Sequence, residues 1–205
     1  MKKFELTNEF ITNMFGTKLF RIRALVEFGD VEAGELGGYV EKESNLGHDD
    51  NAWVYDNAWV YGDAQVSGDA LVYGNARVYG DAQVSGDARV YGNARVYDNA
   101  WVYGNAQVSG DARVCGDARV CGNGDYAYAH GFGSVNRTTT FFRLKDGGVG
   151  VRCGCFYGTL AQFRDKIRET HGETKKAQEY LMLADLMELR FEEDENEVGN
   201  RKYVE

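Results

Sequence analysis

Between Asn51 and Gly122 the hydrophobic and polar positions follow one six-residue pattern, repeated twelve times without an insertion. Ala holds the second place and Val the fourth in every copy, the first is Asn or Asp, and the sixth is Gly except at Asp56 and Asp98. The third place varies among Trp, Leu, Arg and Gln, and the fifth among Tyr, Ser and Cys. A β-branched residue flanked by two variable ones predicts a half-buried strand only about three residues long, with Val inward and its neighbours outward. The Gly-Asn or Gly-Asp pair that follows tolerates positive φ, as a sharp corner requires, and Ala suits the crowded inside of that corner. A fixed period of this kind predicts a solenoid, whose function is sought in its ladders of repeated outward side chains and in whatever caps them.

The period that decides the stacking is eighteen. Residues 51–68 match the next eighteen at 14 of 18 positions, against 12 at an offset of six and 9 at an offset of twelve. Three hexads per coil make four coils of the perfect array, a rise of roughly 19 Å at a strand spacing of about 4.8 Å. The repeat V-Y-G-D-A-x resembles that of the hexapeptide-repeat family, which implies an all-β solenoid, a left-handed parallel β-helix with triangular coils.

The two ends depart from the beat. In residues 1–38, KFEL and TKLFRIRAL are strand-like around a turn at Gly16, and form an N-terminal β cap. Val40 and Leu46 look like degenerate rungs, but Val54 follows Leu46 after eight residues, so two extra residues bulge near Gly47, His48 and Asp49. The β-helix is expected over 39–133, with Tyr126 and Phe132 still on the six-residue beat. From 134 to 205 a small α+β unit follows. It comprises a hairpin about Asp146-Gly147-Gly148 and a helix opened by a Thr159/Gln162 capping box that buries Leu160, Phe163 and Ile167. A second helix from about Glu173 to Arg190 buries Tyr180, Leu183, Ala184 and Met187, and a solvated acidic tail runs from Glu192 to Glu197. The order of K-F-E-L-T, L-F-R-I-R-A-L, G-E-L-G-G-Y-V, the array and C-G-C-F-Y-G-T-L is similar to that of hexapeptide-repeat proteins of phages and prophages. That resemblance implies an accessory protein acting on a host, with no catalytic motif to carry over.

Charge and composition narrow the function. The net charge of −9 argues against a nucleic-acid or anionic-membrane binder. MKKFELTNEF lacks the apolar core of a signal peptide and no run reaches a transmembrane length, so a cytoplasmic location is expected. On the same ground Cys115, Cys121, Cys153 and Cys155 read as reduced thiols, with Cys153, Cys155 and a distant His as an alternative metal set.

The eighteen-residue register places Trp59, Arg77, Arg95 and Arg113 in one row, beside Tyr61, Tyr79, Tyr97 and Cys115. Tyr, Trp and Arg are the residue types that anchor interfaces, so this face is the expected binding site for a host protein or a small anionic ligand, with no cofactor. The bland alternative is guanidinium stacking balanced by the corner Asp residues. Hexapeptide-repeat acyltransferases use coenzyme A and a histidine base, which makes such an enzyme the alternative reading, with His48 or His130 as base. An acidic nucleic-acid mimic is a third, weakened because residues 51–122 hold eight Asp against five Arg. Exposed Trp53, Trp59 and Trp101 with the Tyr rows predict association through a solenoid face, as a homotrimer.

Overall fold

A computed structural model describes residues 2–133 and 136–192. Its body is a β-solenoid of twelve two-residue strands, β4 (Trp53–Val54) to β15 (Arg119–Val120), one beginning every six residues. They stack as three parallel sheets in a register of eighteen: Trp59↔Arg77↔Arg95↔Arg113, Trp53↔Leu71↔Arg89↔Gln107 and Gln65↔Gln83↔Trp101↔Arg119. These are the rows expected from the sequence period. Every Val and Ala of the twelve hexads is at most 1% exposed, so the core is a column of two small side-chain types.

The corner glycines from Gly62 to Gly116 hold φ between 62° and 72°, while Asp56 and Asp98 take 53° and 58°. Stacking adds a second demand, since a Cβ at Gly68 would lie 2.8 Å from the backbone nitrogen of Gly86. Between coils the N–H groups on either side of each Val donate to a carbonyl seventeen residues on, as in Arg77 N to Ala94 O and Arg95 N to Ala112 O, both 2.9 Å, while the parallel register turns each Val N–H toward the preceding coil. The open groups are therefore mostly carbonyls at its N-terminal end and mostly N–H groups at its C-terminal end.

At the N-terminal end, β1 (Phe4–Thr12) and β2 (Lys18–Ala24) form a hairpin that continues through β3 (Leu36–Val40) onto the sheet of Trp59. Val40 pairs with Val60, and Leu46 bridges Val66, both at a separation of twenty rather than eighteen, which locates the predicted two-residue bulge. Trp53 is a correction to the sequence reading. It is not exposed but 0% accessible, enclosed edge-on by Phe4 and Phe28. The cap strand can cross it because Gly37 has no side chain: a Cβ there would sit 2.8 Å from the indole and 2.5 Å from Val54 O.

At the other end β16 (Tyr126–Phe132), β17 (Arg137–Arg143), β18 (Val149–Cys153) and β19 (Phe156–Thr159) make an antiparallel sheet. Tyr126 and Phe132 thus lie on a strand of this sheet rather than on a rung: a seven-residue strand pairing antiparallel with β17 replaces the coil geometry. The Asp146–Gly148 turn joins β17 to β18, with Gly147 N donating to Leu144 O at 2.9 Å.

Helix α1 (Leu160–His171) opens on the Thr159/Gln162 capping box and buries Leu160, Phe163 and Ile167; α2 (Lys175–Phe191) buries Ala177, Tyr180, Ala184, Met187 and Phe191. The acidic tail beyond Glu192 lies outside the described residues, as does the junction at 134. No helix among the described residues is long and apolar enough to cross a membrane.

Candidate anion-binding cleft

The row of Arg77, Arg95 and Arg113 forms one wall of a cleft of about 640 Å³, and the C-terminal sheet forms the other with His130, Arg137 and Thr138. The row exists because every eighteenth residue returns to the same face. Guanidiniums stacked at about 4.8 Å repel by roughly 0.9 kcal/mol per pair even in water, so the arrangement needs compensation. Part of it is visible: Arg77 lies over the Trp59 ring at 4.1 Å, a cation–π contact that holds the guanidinium. Among the described residues no carboxylate comes within ion-pair distance of Arg77, Arg95, Arg113 or Arg137. Asp111 alone of the acids lines the cleft, and its Oδ1 accepts from Asn93 Nδ2 at 3.1 Å, the end of a side-chain ladder that begins at Asn75.

The facing wall is docked by specific bonds. Arg113 N, left over at the edge of the last coil of its sheet, donates to Thr140 Oγ1 at 2.9 Å, and Lys145 N donates to Asp117 O at 3.0 Å. Arg137 lies against the bare backbone of Gly154, which has φ +59° and where any Cβ would overlap the guanidinium. His130 Nδ1 and Thr138 Oγ1 are 2.9 Å apart, which orients the exposed imidazole.

Tyr61, Tyr79 and Tyr97 stand beside the arginines but do not line the cleft. Their rings stack on one another at 5.0 and 4.9 Å with interplanar angles of 5° and 3°. Burial raises all three hydroxyl pKa values, most for Tyr97, whose hydroxyl also bonds Cys115. Cys115, itself buried and pushed up by desolvation, ends the column. Arg152 reaches over Tyr97 from the C-terminal sheet at 5.9 Å. Trp101 is likewise engaged within the chain, donating from Nε1 to Ser85 Oγ at 3.2 Å beneath Arg119. The aromatic exposure from which a trimer was expected is thus largely taken up by the chain itself.

The two candidate bases separate. His48 belongs to the N-terminal cap, where it stacks on Phe4 at 4.6 Å, accepts from Lys3 N at 3.2 Å on Nδ1 and approaches Glu43 at 3.4 Å through Nε2. Both its nitrogens are occupied. His130 is the one that lies in the cleft.

Arg137 was the residue missed by sequence reasoning. It sits in the unrepetitive stretch N-R-T-T-T, and no local signal tells which side of the solenoid its strand will cover.

A second cavity of about 270 Å³ is lined by Cys153, Cys155, Phe163, His171 and Tyr180. Burial, then Cys153 beside it, pushes the Tyr180 hydroxyl up to about 12. None of the four cysteines is joined in a disulfide, and no group of three or more His, Cys, Asp or Glu among the described residues is placed to hold a metal ion.

A family model described as the YdcK beta solenoid repeat matches residues 64–80, 72–86, 82–94, 88–104, 94–110 and 106–122. No curated protein matches the chain. The matched windows coincide with coils that carry the arginine row, so this is a repeat β-helix protein whose solenoid is similar to the YdcK repeat.

Proposed function

We propose that the protein is a non-catalytic β-solenoid binding module that holds an anionic ligand, or an acidic segment of a partner, in the cleft between the arginine row and the C-terminal sheet. The observation that carries this reading is the gathering of Arg77, Arg95, Arg113 and Arg137 around one cleft without a carboxylate partner among the described residues. Guanidiniums without counter-charges remain in place at a cost, and a charge-assisted fork to an incoming anion offsets it. The phage-type order of segments makes a host molecule, met in the host cytoplasm, the natural source of that anion, with countering a host defence as the biological role. The same likeness of the hexad makes the left hand our reading for the coil.

Replacing Arg77, Arg95 and Arg113 together by Gln tests the proposal, because it removes mutual repulsion while keeping polarity and length. The melting temperature should stay level or rise slightly. Molecules retained from host lysate by the immobilised wild-type protein, identified by mass spectrometry, should be lost with the variant and released by salt. Retention of the same molecules by the triple variant overturns the reading.

One observation favours a second reading, a coenzyme A-dependent acyltransferase: His130 lies in the same cleft as the arginines. It predicts that millimolar coenzyme A raises the melting temperature and that acyl transfer disappears in His130→Ala.

A further inference from the structure

The cleft has a direction, a depth and a charge, and together they narrow the chemistry of what fits. Arg77, Arg95 and Arg113 pair in register on β8 (Arg77–Val78), β11 (Arg95–Val96) and β14 (Arg113–Val114), so the three forks repeat in a straight line at the rung spacing. Arg137 and His130 face that line from the other wall. Four guanidiniums oppose one carboxylate, and that carboxylate is already bonded to Asn93.

A single phosphate would meet one or two forks and leave the rest unanswered. An extended acidic peptide presents side chains on one face about every 6.6 Å, so three carboxylates span more than the three rungs about 4.8 Å apart. The volume, about 640 Å³, is that of a small-molecule site and not of a macromolecular interface. A short, flexible chain of tetrahedral anions carries three or more charges within a length shorter than the row, so neighbouring forks can converge on it from one wall while Arg137 approaches from the other. The amides of Asn75 and Asn93 border the arginine row, placing neutral donors and acceptors where the uncharged part of such a ligand would emerge.

We infer that the cleft binds a small linear polyphosphate ester of the nucleoside di- or triphosphate class, its phosphates gathered by the converging forks of Arg77, Arg95 and Arg113 and clamped from the opposite wall by Arg137. This rests on the reading of the cleft as an anion site and adds the class of anion. Two features hold the clamp ready: Arg77 rests on Trp59, and Arg137 lies against Gly154. Less side-chain freedom then remains to be lost on binding.

Calorimetric titration of the full chain tests it, with orthophosphate, AMP, ADP, ATP, inorganic tripolyphosphate and hexaglutamate as probes. ADP, ATP and tripolyphosphate should bind at least ten-fold more tightly than AMP or orthophosphate. Arg95→Gln and Arg137→Gln should each weaken that binding at least ten-fold without lowering the melting temperature. Arg89→Gln, on another sheet, should leave it unchanged and so controls for general charge.

If hexaglutamate binds more tightly than every polyphosphate and depends on the same arginines, the anion cleft stands and the polyphosphate assignment falls. Equal affinity for orthophosphate and tripolyphosphate overturns the linear chain, and binding of tripolyphosphate without ATP or ADP overturns the ester. Should no probe bind while Arg95→Gln still abolishes capture of a host protein, the cleft is a protein site and the inference fails alone. If no probe binds and capture is also indifferent to Arg95, both fall.

Discussion

The two ends of the solenoid solve one problem with opposite chemistry. Because two of the three N–H groups of each rung donate toward the C-terminal side, carbonyls predominate among the open groups of the first coil and N–H groups among those of the last. The N-terminal cap accordingly brings donors. Lys3 Nζ reaches Ala52 O at 2.9 Å, and Asn45 Nδ2 reaches Gly62 O at 3.0 Å and Ala64 O at 2.8 Å. The C-terminal cap brings mainly acceptors: Asn123 Oδ1 takes Gln107 N, Thr140 Oγ1 takes Arg113 N, and Asp125 Oδ2 takes both Cys121 N and Gly122 N, while the Tyr126 hydroxyl accepts from Ser109 N and donates to Gln107 O at 2.6 Å.

Chain polarity thus favours a cation or amide at one end and an acid or hydroxyl at the other, with Glu41 Oε2 taking Gly62 N as an exception at the first. It also explains where the arginine-lined cleft can arise. The acceptors that close the last coil arrive on strands and loops of the C-terminal unit, and its strand β17 carries Arg137 alongside Thr140 to the end of the arginine row.

The largest expected effect lies between the ends. Val90→Asp would bury a lone charge in the fully enclosed column, where neither cap can reach it, and should abolish folding. A soluble variant with unchanged circular dichroism and melting would refute the inward register.

Asn45→Asp comes next, because it sets a fully buried carboxylate against the Gly62 and Ala64 carbonyls. It should cost about 3 kcal/mol or more in denaturant unfolding. The acid at the opposite end should tolerate the reciprocal exchange: Asp125→Asn keeps an acceptor for Cys121 N and Gly122 N and should cost only about 1 kcal/mol. Equal losses in the two variants would contradict the polarity argument. Thr140→Val falls between them, at about 1–2 kcal/mol, since it leaves Arg113 N without its acceptor at nearly constant shape.

The smallest effect at neutral pH concerns the tyrosine column. Burial holds the Tyr61, Tyr79 and Tyr97 hydroxyls protonated above their ordinary value of 10. Above pH 10 the unfolded chain releases these protons while the folded chain retains them, so the unfolded state binds fewer protons and stability falls as pH rises. The melting temperature should be flat from pH 7 to 9 and decline above 10, less steeply in Tyr79→Phe. A decline that begins below pH 9 would point to other groups.

Three hexads show where local sequence stops being informative. NAWVYD at 51–56, NAWVYG at 57–62 and NAWVYG at 99–104 are nearly the same words, and all three supply an inward Val and a corner at the sixth residue. Their tryptophans nevertheless meet different surroundings: Trp53 is sealed by Phe4 and Phe28, Trp59 carries Arg77, and Trp101 bonds Ser85. Nothing within six residues distinguishes them. The difference comes from Phe4, forty-nine positions away from Trp53, and from the coil that stacks next.

Read alone, the chain determines what depends on neighbours at short and regular separation. Those features are the rung, the corner, the period of eighteen and with it the arginine row, the two-residue bulge after Leu46, the turn at Gly147 and the capping box at Thr159. Each follows from steric limits on φ, from alternation across a strand or from a bond between residues three or four apart. Tertiary structure alone decides what covers the open ends and which outward rows stay free. These outcomes depend on contacts between segments tens of residues apart, where side chains such as Lys3, Thr140 and Arg137 meet groups that carry no mark of them in the intervening sequence.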